Sequence, residues 1–301
     1  MMMRIIAAAL FTVVAAFPAL AASPLVDVNW LKANLGHEGL VVLDVRAPQE
    51  YQAGHIPGAV NTDYVKGGWR VDREIDKVPE MLPADLTPLA RHVGELGIGD
   101  GTHVVLVHSG RSPAEVGNAT RVYWTLKVMG HDELSILDGG MAAWMKDKAN
   151  PVEAARVEAK ARTFTLRPRA DLLASEDDVA KAAASGVELV DSRSEDNFVG
   201  INKSPKSKEA GTVPGAVNLP FTWLVDGGTF RTKAQIEALA AYAKVSLTRP
   251  QIEFCNTGHL GSIGWFVASE LMGNKAARLY DGSMTEWTIH GRPVEQRVKL
   301  P

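Results

Sequence analysis

The chain has 301 residues, 46% hydrophobic and 22% charged, with 35 acidic against 32 basic side chains. These are the proportions of a soluble globular protein, and so even a balance gives no field strong enough to hold nucleic acid or an anionic membrane surface. A small-molecule partner is expected.

In chain order, Met1-Met2-Met3-Arg4, an apolar run from Ile5 to Phe17, and Pro18-Ala19-Leu20-Ala21 have the layout of a secretory signal, residues 1–21, cleaved after Ala21. The run is short for a transmembrane helix, and no cysteine follows the cleavage position to carry a lipid. The mature chain is therefore expected to be exported, periplasmic or secreted, and free of the membrane once the signal is removed. Its length suffices for two domains with separate cores.

An internal repeat organises the rest of the chain. Val41-Val42-Leu43-Asp44-Val45-Arg46 is echoed by Glu188-Leu189-Val190-Asp191-Ser192-Arg193, each a buried-strand pattern ending in Asp-x-Arg. Gly54-His55-Ile56-Pro57-Gly58-Ala59-Val60-Asn61 is echoed by Gly211-Thr212-Val213-Pro214-Gly215-Ala216-Val217-Asn218, where Pro-Gly marks a turn into a second short strand. Asp138-Gly139-Gly140 and Trp144 match Asp281-Gly282-Ser283 and Trp287. Helical patterns at 86–96, 119–129, 233–243 and 263–272 alternate with strands, which predicts an α/β fold: two tandem copies of a mainly parallel sheet with helices on both faces. The boundaries are 22–149 for the first copy, 150–169 for a linker and 170–301 for the second. Residues 202–209, polar and without apolar periodicity, read as a surface insertion in the second copy.

Cys255 is the only cysteine, so no internal disulfide forms and the fold stands on its cores. A lone exported thiol is either buried and inert or kept because it reacts. It ends a β-prone run, 251–254, and precedes a glycine-bearing loop and a helix, where ligands of parallel sheets gather. A helix N-terminus offers an anion up to about 2 kcal/mol, so N–H bonds from Asn256 to Gly261 must supply the rest of a thiolate's stabilisation. Gly258 and Gly261 are the positions where the loop is expected to take conformations closed to other residues. His259 is the loop's one ionisable side chain besides the thiol, and when protonated it could attract an anion. Superposing the copies sets His108 against Cys255, and an imidazole cannot carry a persulfide.

The paired Asp-x-Arg and Gly-x-Ile/Val-Pro-Gly-Ala-x-Asn motifs, the Cys255 loop and the Asp-Gly-Gly/Ser...Trp segments together resemble tandem-domain rhodaneses. The resemblance implies a catalytically silent first domain and a second whose Cys255 carries sulfane sulfur as a persulfide. It implies a small anionic donor, thiosulfate or 3-mercaptopyruvate, and cyanide or a thiol as acceptor, with no metal or organic cofactor. Asn256, Thr257, Gly258, His259, Leu260 and Gly261 are then substrate-binding, with Thr257 standing where mercaptopyruvate-preferring relatives tend to have serine. Asn197 falls where relatives tend to place a substrate-binding arginine. Compensating charge is expected from Lys203, Lys206 or Lys208 of the insertion, or from Arg70, Arg73 or Arg111 of the first copy, while Arg193 is expected to pair internally. A phosphatase or arsenate reductase needs a longer loop closed by arginine, which Leu260-Gly261-Ser262 does not provide. A non-turnover sulfur carrier for exported partners is the alternative function.

Overall fold

The computed structural model describes residues 23–300; the secretory-signal reading of residues 1–21 lies outside them. Strands β1 (Leu25–Val26), β2 (Leu40–Asp44), β3 (Val60–Asn61), β4 (His103–Val107) and β5 (Leu134–Leu137) form a parallel sheet in the order β1-β5-β4-β2-β3. The second copy repeats it. Strands β6 (Leu173–Ala174), β7 (Glu188–Asp191) and β8 (Val217–Asn218) are followed by an antiparallel hairpin, β9 (Val225–Asp226) and β10 (Thr229–Phe230), then β11 (Gln251–Phe254) and β12 (Ala277–Tyr280). The second sheet runs β6-β12-β11-β7-β8. The all-valine-and-leucine centre of β4 is buried at every position, as a strand covered by helices on both faces requires.

Each Asp-x-Arg motif closes on itself. Arg193 Nε and Nη2 reach Asp191 at 3.0 and 2.6 Å and Nη2 also donates to Gly211 O at 2.8 Å. Arg46 repeats this with Asp44 and Gly54. The bidentate pair ties the end of the second strand to the turn before the third, a structural role in both copies.

The two copies share a core. Val116, Trp124 and Leu126 of the helix Pro113–Val128 meet Ile263, Trp265 and Phe266 of the helix Gly261–Phe266, with Phe230 of the hairpin in the same cluster. Each such side chain fully buried is worth about 1.5–3 kcal/mol, so the copies are joined by apolar burial and not by a tether alone. Residues 150–169 lie along the first copy, pinned by Arg162 N–H on Gly94 O, Arg167 N–H on Met129 O and Arg169 N–H on Val128 O. Packing is reciprocal. The hairpin sends Phe230 N–H to Asp138 Oδ1 at 2.9 Å, and the first-copy segment 64–82 sends Leu82 N–H to the matching Asp281 Oδ2 at 2.6 Å. Each copy thereby covers the other's loop at the strand ends. Among the described residues no helix is long and apolar enough to cross a membrane.

Candidate active site

Strand β11 is central in its sheet and ends at Cys255, which is 1% exposed. The loop turns at Gly258, whose φ is +70° and where a Cβ would lie 2.4 Å from an Arg121 nitrogen, so only glycine fits by conformation and by space. Gly261 departs from the expectation. It opens the helix Gly261–Phe266 without a positive φ, and what it provides is room, since a Cβ there would stand 3.0 Å from the Phe254 carbonyl carbon. The helix continues as a π-helical stretch, Val267–Leu271.

Ser283 holds the loop. Its hydroxyl accepts the N–H groups of Cys255 and Gly258, both at 3.0 Å, and donates to Tyr280 O at 2.8 Å. It does so from φ +52°, where its first-copy counterpart is Gly140 at +55°. The backbone clamp is otherwise the same in both copies: Met284 N–H to Cys255 O matches Met141 N–H to His108 O. The second copy thus keeps a side chain in the left-handed region, at about 1–2 kcal/mol, and gains a hydroxyl that ties Cys255 and Gly258 together. With those two amides engaged, the N–H groups of Asn256, Thr257, His259 and Leu260 donate to no protein group among the described residues. They are available to an anion. Ser283→Ala, which keeps the strain and loses the bonds, is expected to be less stable than Ser283→Gly by about 1 kcal/mol. Urea unfolding of the two variants checks this, and an alanine variant as stable as the glycine one contradicts it.

The first copy supplies the other wall. The His259 ring lies 5.1 Å from that of Tyr64, and its Nε2 sits against Gly117. Burial, then the charges of Arg121 and Arg70, push its pKa down to about 4. With its pKa held there by burial, the imidazole is neutral at pH 7, so the condition under which it could attract an anion is not met. His108, the counterpart of Cys255, is buried and also pushed down by burial to about 4, with Nδ1 accepting Gly110 N–H at 3.1 Å. Thr257 is buried beside Glu80 of the first copy. Asn256 Oδ1 is buried without a partner, and Leu260 packs on the shared core. Asn197 stays within its own turn, its amide donating to Ser194 Oγ at 3.1 Å, and no hydrogen bond joins it to the loop.

Of the cations weighed from sequence, Lys206 and Arg70 reach the loop's surroundings, where both pair with Glu80. Lys203 bonds Ser207 O, Arg73 bonds Asp76 and Glu286, and Arg111 is exposed with Glu50 and Glu115. The insertion lies at the surface as its composition suggests, exposed at every position of 202–209 except Ser204 and Ser207, and Lys208 N–H anchors it on Thr288 Oγ1 at 2.9 Å. Sequence reading missed Arg121, which is 1% exposed, paired with Asp281 and stacked 4.8 Å over Trp124. Its one signal was a lone arginine inside an apolar helical pattern.

Glu253, two residues before Cys255, is fully enclosed. Burial pushes its carboxyl up to about 8, against bonds from Gln251 at 2.7 Å and Ser192 at 3.1 Å. The folded state then holds a proton that the unfolded chain releases near 4.5, so this group's contribution is present below pH 4.5 and is lost as pH rises toward 8. Glu253→Gln is expected to gain stability on the native protein between pH 5 and pH 8, by a few kcal/mol at roughly 1.36 kcal/mol per pKa unit. A stability difference that stays constant with pH in urea unfolding would show that the carboxyl is ionised in place.

A rhodanese-like domain model matches residues 27–147 and 175–290. The chain is 32% identical over 281 residues to a putative thiosulfate sulfurtransferase of Mycolicibacterium smegmatis, covering 90% of this chain and 97% of that one. It is 29% identical over 275 residues to the 3-mercaptopyruvate sulfurtransferase of Homo sapiens, covering 89% of this chain and 86% of that one. Among solved structures, SseA, the 3-mercaptopyruvate sulfotransferase of Escherichia coli, superposes with a TM-score of 0.74 at 26% identity, over 87% of this chain and 99% of that chain.

Proposed function

The chain belongs to the rhodanese-like domain family, and on that premise we propose that its second copy is a working sulfurtransferase and its first a silent partner that completes the site. The observation that carries this is the contrast at one position. Cys255 follows a central strand and opens a loop with four N–H groups that no protein acceptor takes among the described residues, and the same place in the first copy holds a buried neutral imidazole.

The Cys255 thiolate attacks the outer sulfur of thiosulfate. The sulfur–sulfur bond of the donor breaks, sulfite leaves with the electron pair, and Cys255 becomes a persulfide. With 3-mercaptopyruvate the carbon–sulfur bond breaks and pyruvate leaves as its enolate, taking a proton from water. Cyanide or a thiolate then attacks the outer sulfur, and the Cys255 thiolate is restored. The free N–H groups of the loop suit the terminal persulfide charge, where charge-assisted bonds are about twice as strong as neutral ones. Neutral His259 leaves the electrostatic task to the loop amides and to Arg70, Arg121 and Lys206. Asn197 brings no positive charge, and its amide is engaged within its own turn.

Incubation with each donor, followed by intact mass measurement, should add one sulfur atom, which cyanide then discharges as thiocyanate. Loading without repeated turnover would instead favour the sulfur carrier. Export through residues 1–21 is part of the same reading, supported by their charge and apolar layout, and a periplasmic product beginning at Ala22 would bear it out.

A further inference from the structure

An anion already stands against the Cys255 loop. The Glu80 carboxylate lies 2.8 Å from Lys206 Nζ, pairs with Arg70, and has the Thr257 hydroxyl against it. These partners come from three separate parts of the chain: the first-copy segment, the second-copy insertion and the catalytic loop. Glu80 is 18% exposed. Although burial acts the other way, Lys206 and Thr257, with the charge of Arg70, hold its carboxyl below the usual glutamate range. Its backbone takes φ +62°, a conformation that favours glycine, and is fixed there by its N–H on Asp72 Oδ1 at 3.1 Å and by the pairing of Val71 with Met81 on either side of the turn.

A carboxylate held in this way, on strained backbone and between two cations from different domains, has the chemistry of the donor that the site is built to receive. We propose that Glu80 is a specificity-determining residue: an internal anion that fills the place between Arg70, Lys206 and Thr257, and that the carboxylate or sulfonate-type oxygens of a donor must displace. The identity of the displacing donor rests on the sulfurtransferase reading, but the occupancy of the subsite by Glu80 does not. With Glu80 in place the three charges sum to one positive unit. With it displaced, two cations face the donor, so a singly or doubly charged anion is attracted and a neutral molecule gains nothing. The ion pair also joins the insertion to the first copy, so the insertion reaches the surroundings of the Cys255 loop.

Because Cys255 is the only cysteine, its alkylation reports on the charge around the loop without requiring sulfur transfer. Iodoacetate and iodoacetamide differ in one carboxylate and share a leaving group. In the full chain, Glu80→Gln is expected to raise the ratio of the iodoacetate rate to the iodoacetamide rate about tenfold, as removal of a like charge from beside the loop allows. Lys206→Gln, at a side chain 43% exposed and so removable without a core penalty, is expected to lower the ratio. Both effects should shrink in high salt. Donor KM in the Glu80→Gln protein should fall by a similar factor. A ratio unchanged in folded Glu80→Gln, or one moving in the same direction in both variants, overturns the proposal. Should Glu80→Gln not fold, an unchanged ratio in Lys206→Gln overturns it alone. Loss of turnover with the ratios behaving as stated would count against the sulfurtransferase reading and not against the subsite.

Discussion

Cys255→Ser is expected to lose sulfur transfer by at least about three orders of magnitude, equivalent to roughly 4 kcal/mol of transition-state stabilisation, while unfolding close to the wild-type denaturant concentration. The hydroxyl cannot take up sulfane sulfur as a thiolate does, and a serine oxygen is a far weaker nucleophile without a base beside it. His259 does not serve as that base on any geometry present, its Nε2 being turned against Gly117. Stability should hold because the loop's anchors are not on the sulfur. The Cys255 N–H goes to Ser283 and its carbonyl accepts from Met284, and both bonds survive the substitution. The check is turnover with thiosulfate and with 3-mercaptopyruvate, alongside urea unfolding. Substantial turnover by a folded serine variant would end the reading. Retained mass gain without turnover in that variant would place the sulfur elsewhere.

What could be read before the fold was known, and what could not, divides by distance along the chain. The repeat, the strand ending at Cys255, the helix Lys233–Ala243 and the internal pairing of Arg193 are local patterns, set by residues a few positions apart. The site's outer parts are not. Leu82 meets Asp281 across 199 positions, and Thr120 meets Ser262 across 142. No periodicity encodes such contacts, so Arg121 and Glu80 were invisible as site residues. Ser283 was visible only as a difference from Gly140, and its meaning depends on a positive φ that sequence does not report. Whether His259 is protonated could not be read locally either, because it is decided mainly by burial against first-copy residues and by the charges of Arg121 and Arg70. Lys206 was foreseen as a cation, but the acid that neutralises it comes from the other copy.

Arg121→Met should cost about 3–5 kcal/mol of stability and a large part of the activity together. Arg121 and Asp281 are both nearly inaccessible, and removal of one member leaves the other as an uncompensated buried charge. The guanidinium meets Asp281 Oδ1 through Nη2 and stacks on Trp124, while its Nε and Nη1 have no hydrogen-bond partner among the described residues. That makes the attraction strongly mutual. Asp281→Asn should cost a comparable amount, because it keeps an oxygen able to accept Leu82 N–H but leaves the buried Arg121 charge without its partner. The double variant should then lose clearly less than the sum of the two, a coupling of about 2 kcal/mol or more for residues in direct contact. The activity loss follows from position: the guanidinium fills the space beside Gly258, the turn of the catalytic loop, and a methionine there leaves the loop's first-copy wall without its charge. A double-mutant cycle in urea, with kcat measured on each protein below its unfolding transition, separates the two effects. Additive stability losses would mean that Arg121 and Asp281 are independently solvated, and an unchanged kcat would remove Arg121 from the site.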